Sequence, residues 1–193
     1  MKPLAYTLIF AILAGCAGPE PHIYVLDAAG KPASGVRSDT GRMLVELKPV
    51  LVPDYLDSTD ILLRTGSNEL TASRTGVWGE RLSAGITRAL AADLVRLLPR
   101  ATVLARPPPA QPARQILVDV TGLQARAQGD CVLTARWTIV EQRNNMSEPQ
   151  VLASADGSFT THAVAPGDAA LVAAITAAIG QLASQIAAGA DMD

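Results

Sequence analysis

From Ala169 to Ala190 the chain carries no charged residue. A stretch of that length folds either as a membrane span or as a helix covered by protein. Leu171, Ile175, Ile179, Leu182 and Ile186 recur at helical spacing and make a single stripe. The remainder is mostly alanine, broken by Thr176, Gly180, Gln181, Ser184 and Gln185, so the hydropathy is modest for a span. The pattern predicts a helix packed on a sheet, with an Ala-rich second face suited to close packing against another helix or subunit. Pro166-Gly167-Asp168 opens it, with Asp168 as the expected N-cap.

A second helix is predicted from Trp78 to Leu98, where Trp78, Leu82, Ile86, Leu90, Leu94 and Leu97/Leu98 form one apolar face before Pro99 stops it. Around these helices the period is two. Strands are expected at His22–Leu26, Met43–Leu47, Ile61–Arg64, more weakly Glu69–Thr71, Thr102–Ala105, Gln115–Thr121, Cys131–Val140 and Val151–His162. Cys131–Val140 is the clearest: Cys131, Leu133, Ala135, Trp137 and Ile139 alternate with Val132, Thr134, Arg136, Thr138 and Val140. Residues 27–42, 106–113 and 143–149 read as loops or turns, and Gly66-Ser67-Asn68 as a hairpin turn. Hairpins predominate, so the expected class is α+β: an antiparallel or mixed sheet with two main amphipathic helices on one face.

The start of the chain has a different character. Met1-Lys2 supplies a positive charge, Leu4–Leu13 is apolar except for Thr7, and Leu13-Ala-Gly-Cys16 follows. About ten apolar residues are too few to span a bilayer, and the arrangement is that of a secretory signal. Leu-Ala-Gly-Cys resembles the bacterial lipobox, which implies a thiol acylated at Cys16 after cleavage. The expected organisation is therefore a signal peptide at 1–15, an acylated cysteine and short tether at 16–22, and one periplasmic domain at 23–193. Ala17, rather than Asp, after the cysteine points to the outer membrane. Several acyl chains make such attachment permanent, and six extended residues reach only roughly 20 Å. The domain must sit close to its membrane, and a partner from the other membrane must come to it.

Chemistry-bearing constellations are sparse. The 16 Lys+Arg and 18 Asp+Glu nearly balance, which argues against nucleic acid as a partner. His22 and His162 have no second ligand at metal spacing. With Cys16 acylated, Cys131 is the remaining thiol, and alternation places it among core residues as a small hydrophobe. Asp54, Asp57 and Asp60 lack the pattern of a calcium loop. No nucleophile elbow, dinucleotide fingerprint or phosphate loop is present. No enzyme and no cofactor is expected.

One ordered set of residues remains. Tyr24-Val-Leu26 is followed by Leu47-Lys-Pro-Val50, Pro53-Asp-Tyr-Leu-Asp57, Ile61, Arg64 and Glu69-Leu70. Trp78-Gly-Glu-Arg-Leu82, Val118-Asp-Val120 and Leu133-Thr-Ala-Arg-Trp137 complete it. This order, behind a lipobox, resembles the PqiC-like (YmbA-like) family, the auxiliary lipoproteins of ABC-type and MCE-protein transport systems. It covers the chain from about Tyr24 to the last helix. The chain departs from the family at Gly76-Val77, where an aromatic or basic residue often precedes the Trp, and at Leu123, where an aromatic is common. The resemblance implies a non-enzymatic, periplasm-facing domain that assists movement of lipids or other hydrophobic molecules between envelope membranes. Its partners would be an MCE-domain protein and the associated permease and ATPase. A homo-oligomer is compatible with such an assembly, although no heptad repeat encodes one. Matching the motifs residue by residue gives Pro53, Tyr55, Leu56, Asp57, Arg64 and Trp78 as partner-contact candidates beside the anchor Cys16. Each has a structural reading too: a turn with Tyr55 and Leu56 over the core, Trp78 within it, and Arg64 paired with Asp57 or Glu69. Two other roles compete with transport docking: a structural envelope lipoprotein without cargo contact, and a lipid carrier with its own cavity.

Overall fold

The computed structural model describes residues 20–30, 42–127, 129–141 and 149–190. The expected signal at 1–15, Cys16, the first part of the expected tether, and most of the segments read as a loop at 27–42 and a turn at 143–149 lie outside these residues.

The alternating strand is the centre of the fold. Residues Asp130–Glu141 form β7, whose Cys131, Leu133, Ala135, Trp137 and Ile139 are buried. It pairs antiparallel with β6 (Arg114–Ala125) and β8 (Gln150–His162). The strand expected to end at Thr121 continues to Ala125 because a bulge between Val120 and Gly122 resets the phase. Ile116, Val118 and Val120 point inward before it, and Leu123 and Ala125 after it. β2 (Met43–Leu47) lies parallel to both β6 and β5 (Ala101–Leu104), completing a five-stranded sheet in the order β5-β2-β6-β7-β8.

The strands do not make one sheet. β1 (His22–Tyr24), β3 (Asp60–Arg64) and β4 (Leu70–Trp78) form a second, three-stranded sheet in the order β1-β4-β3. β1 is parallel to β4, with His22 opposite Gly76 and Tyr24 opposite Trp78. The class is α+β with mixed sheets, as expected from the sequence.

The first helix, α1, runs over Leu82–Leu97, not from Trp78. Trp78 is the last residue of β4, its N–H donating to Thr59 O at 2.7 Å. The four-residue step from Trp78 to Leu82 imitates a helical repeat because both side chains enter the same core. The second helix, α2, spans Asp168–Ala190 and packs on β7, β8 and α1. It is long and apolar enough to cross a membrane, yet half of its most apolar stretch is buried inside the protein. Leu171, Ile175, Ile179, Leu182 and Ile186 all lie in the core. Ala169, Ala173, Ala177, Gln181, Ser184, Gln185 and Ala188 make the exposed face. Gly180 permits its closest approach: a Cβ there would fall 2.5 Å from that of Ala29.

Candidate functional site

The most specific motif, Pro53-Asp-Tyr-Leu-Asp57, is a tight turn on the connection between β2 and β3. Leu56 N–H donates to Pro53 O at 2.8 Å and Asp57 N–H to Asp54 O at 3.2 Å. The turn drives Leu56 into the core, 3% exposed, beside Ile61, Trp78, Leu82, Leu123 and Ile175. The space there is about 10 Å³, room for about one water molecule. Tyr55 turns the other way and is 53% exposed.

Asp57 connects this motif to the next. α1 is preceded by Arg81, which makes no side-chain cap. The Asp57 carboxylate fills that role from 26 positions upstream, accepting the Ser83 N–H at 3.1 Å. Its other oxygen accepts from Arg81 Nη1 at 3.2 Å. The orphan donors of the helix start, and the positive end of the helix, favour a carboxylate at this point. The Ser83 hydrogen bonds hold the Asp57 carboxyl below its ordinary value of 3.8, with Arg81 adding to the effect. Leu82 N–H also reaches Ser58 O at 3.3 Å. The Pro53–Asp57 and Trp78–Leu82 segments, separate in the chain, are thus one structural unit.

The candidates divide accordingly. Trp78 is 6% exposed and Leu56 is buried, so both belong to the core. Pro53 is half-buried within its turn. Arg64 does not pair with Asp57 or Glu69. Its Nη1 donates instead to Ser67 O at 2.6 Å and Gly66 O at 3.4 Å, closing the β3–β4 turn, because Asp57 is engaged at the helix start. Of the six, Tyr55 alone presents a largely free side chain.

Two features escaped the sequence reading. Leu51 is 65% exposed and Leu117 43% exposed. They line a groove of about 320 Å³ with Lys48, Pro49, Asp119 and Arg136. Leu117 falls on the phase of β6 opposite to Ile116 and Val118, so an apolar residue in a solvent register was its signal. The second feature is the 29–30 segment. Asp93, fully buried in α1, accepts the N–H groups of Ala29 at 3.0 Å and Gly30 at 3.3 Å, and a bond from Arg96 Nη2 at 3.3 Å. A buried helical Asp paired with a non-local backbone leaves no pattern in sequence.

Asp168, the expected N-cap, is the first residue of α2 instead, and Leu171 N–H donates to Gly167 O. The Asp168 carboxylate reaches across to β4, accepting from Ser73 Oγ at 2.8 Å and Thr75 Oγ1 at 2.7 Å. Gly76 makes room for it, since a Cβ there would lie 2.7 Å from both Asp168 Oδ2 and the Tyr24 ring. This close approach accounts for a glycine two residues before the Trp. Cys131 is fully buried, and burial pushes its thiol up to about 11. His162 and Asp130 pair at 2.9 Å on the exposed side, away from that thiol's core face. Among the described residues no group of three or more His, Cys, Asp or Glu gathers to hold a metal ion.

Comparison with known proteins agrees with this arrangement. The "ABC-type transport auxiliary lipoprotein component" family model matches residues 24–187. The intermembrane transport lipoprotein PqiC of Escherichia coli K12 is 25% identical over 151 residues, covering 77% of this chain and 80% of that protein. The PqiC of Shigella flexneri gives the same values. A crystal structure of an uncharacterized protein superposes with a TM-score of 0.71 at 19% identity, covering 88% of this chain and 98% of that one. A Xanthomonas campestris protein superposes at 0.60 with 15% identity over 86% and 90%. These two establish the fold. With the family model spanning both sheets and both helices, the chain belongs to the ABC-type transport auxiliary lipoproteins.

Proposed function

We propose that this protein is acylated at Cys16, anchored in the outer membrane facing the periplasm, and acts as a docking or stabilising subunit of an ABC-type/MCE-type intermembrane transport system. Its partners on this reading are an MCE-domain protein with its permease and ATPase, and the cargo is a lipid or similar hydrophobic molecule. One observation carries the reading. The family match begins at residue 24, and the lipobox cysteine stands only six positions ahead of β1. A tether that short holds the domain against its membrane. The likeness to PqiC supports the intermembrane role.

The core argues for docking over carriage. A carrier encloses its cargo within the fold, whereas the space among the core residues around Leu56 and Trp78 is about 10 Å³ and the larger cavities lie open to solvent. Partner contact falls instead to the exposed Tyr55 and Leu51 on one connection, and to the groove beside Leu117. Self-association into a homo-oligomer belongs to the same reading.

Radiolabelled palmitate enters the wild-type chain and not Cys16→Ser, and density separation of the membranes places the label in the outer-membrane fraction. A photo-crosslinking residue at position 55 captures an MCE-domain protein. Capture of outer-membrane assembly factors alone would replace this reading with the structural one, and label retained by Cys16→Ser would remove the anchor.

A further inference from the structure

At the end of the molecule where β3 turns into β4, the three-stranded sheet stands off from the β6–β7 turn. A cleft of two compartments opens there. The outer one, about 690 Å³, is lined by Arg64, Gly66, Ser67, Gln124 and Arg126. The inner one, about 330 Å³, is lined by Leu63, Ala72, Ala127 and Leu171 together with Arg74, Arg126 and Asp168. Thr65, Arg126 and Ala127 belong to both, so the compartments adjoin. The cleft therefore has a cationic mouth and an apolar recess.

The cations are available. Arg74 and Arg126 are exposed and, among the described residues, make no ion pair. Arg64 Nε is buried without a hydrogen-bond partner there, although its Nη1 closes the turn. Two carboxylates border the cleft. Asp168 is held by Ser73 and Thr75, and Glu69 lies in the turn beside Gly66. Three guanidinium groups against one engaged and one turn carboxylate favour an anion, and guanidinium matches phosphate geometry.

The direction of the chain places this mouth. β1 is parallel to β4, so the backbone entering at His22 comes from the side of Thr75, Arg74 and Leu70, the end that bears the cleft. Cys16 stands six positions before His22, and Leu70 six positions before Gly76. Either span covers roughly 20 Å when extended.

We infer that this cleft binds an acidic phospholipid of the anchoring leaflet, its phosphate on Arg126, which lines both compartments, between Arg64 of one and Arg74 of the other, and one acyl chain in the recess lined by Leu63, Ala72, Ala127 and Leu171. The inference deepens the reading above and rests on an acylated Cys16 for its membrane geometry. Tethering raises the effective lipid concentration at the mouth, so weak intrinsic affinity suffices. It also fixes how the domain sits: the cleft end faces the bilayer, and the Leu51–Tyr55 connection is left to the partner.

Full-length chain, purified in mild detergent and reconstituted into phosphatidylcholine vesicles, is illuminated with a trace of phosphatidylglycerol bearing a diazirine near one acyl terminus. Peptide mass spectrometry is expected to place adducts on residues 71–75, Arg126, Ala127, Gly129 or Leu171. The yield should exceed that of a matched phosphatidylcholine probe by about tenfold, the effect of one charge-assisted hydrogen bond. Arg74→Glu with Arg126→Glu, both on exposed positions that leave the turn intact, should lower labelling to the phosphatidylcholine level. Ala127→Trp, which fills the recess and keeps the charge, should do the same. Equal labelling by both probes, adducts elsewhere, or yields unchanged in both variants would overturn the inference. Displacement by millimolar inorganic phosphate would assign the arginines to a small anion and overturn the lipid. Acylation is read separately, from the mass of the N-terminal peptide. Cys16→Ser chain with a soluble short-chain phosphatidylglycerol probe should still label the cleft, so failure of the anchor and failure of the cleft give different results.

Discussion

α1 and α2 are neighbours built on opposite principles. α1 has 16 residues, with Arg88 paired to Glu80 at 2.7 Å on its polar side and a buried Asp93 on its inner side. α2 has 23 residues, and its exposed face is alanine with a few hydroxyls and amides. Yet each helix has one end met from elsewhere in the chain. α1 takes its N-terminal acceptor from Asp57, and α2 has its last carbonyl, Ala190 O, bonded by Arg114 of β6. α2 has no basic residue in its last turn, so that guanidinium supplies the cation favoured at a helix C-terminus. The helices thus draw burial from their own sequence and, at one end each, a cap from a distant part of the chain. Apolar content separates a core helix from a surface helix, but not a core helix from a membrane span; contacts do that.

The comparison can be tested by attacking each helix where it differs. The largest effect is expected inside α2. Ile179→Ala removes a fully buried side chain between sheet and helix and should lower unfolding free energy by about 2–5 kcal/mol, read by denaturant titration. A loss below about 1 kcal/mol would mean that this helix is not a core element.

Asp93→Ala strikes the polar heart of α1. It leaves the N–H groups of Ala29 and Gly30 without their acceptor in a part-buried site, at a cost of about 2 kcal/mol. Hydrogen exchange should quicken at those two amides more than in α1 itself. Uniform acceleration would show that Asp93 supports the helix rather than the N-terminal segment.

Asp57→Ala should cost about 1 kcal/mol, as other lost caps do. The carboxyl is held below its ordinary pKa of 3.8 in the folded chain. Its stabilisation is therefore complete above the unfolded value and is lost as pH falls through the folded one. Thermal melts of wild type and Asp57→Ala should differ at pH 7 and converge in acid. A constant gap would exclude the capping carboxylate as its source.

The smallest effect belongs to the outer face of α2. Ala177→Lys places a charge on an exposed position and should change stability by less than about 0.5 kcal/mol, with no change in solubility. A membrane span would not accept that charge without loss of insertion.

Several elements were legible before any coordinates. The stripes of α1 and α2 and the alternation of β6 and β7 are local periodicities, and burial on one face enforces them. β4 was legible only at its start. Ala72-Ser-Arg-Thr75 has no alternating apolar residue, because one end of the strand faces the arginine-bordered cleft and its Ser73 and Thr75 hydroxyls bond Asp168. Trp78 was misread as helix for the reason that it enters the same core as Leu82. The family motif was visible as residue types in order. That Asp57 serves α1 while Tyr55 faces solvent was not, since a turn places adjacent side chains on opposite sides without leaving a period.

The sequence by itself determined the helices, the buried faces of the main strands, the α+β class and the family resemblance, because each is written in short-range patterns of residue type. The tertiary structure alone decided that the strands part into two sheets, that β2 lies parallel between β5 and β6, and that Arg74 and Arg126 line an apolar recess. Those outcomes depend on pairings between residues tens of positions apart, and the free energy of such contacts exists only once the chain has brought them together.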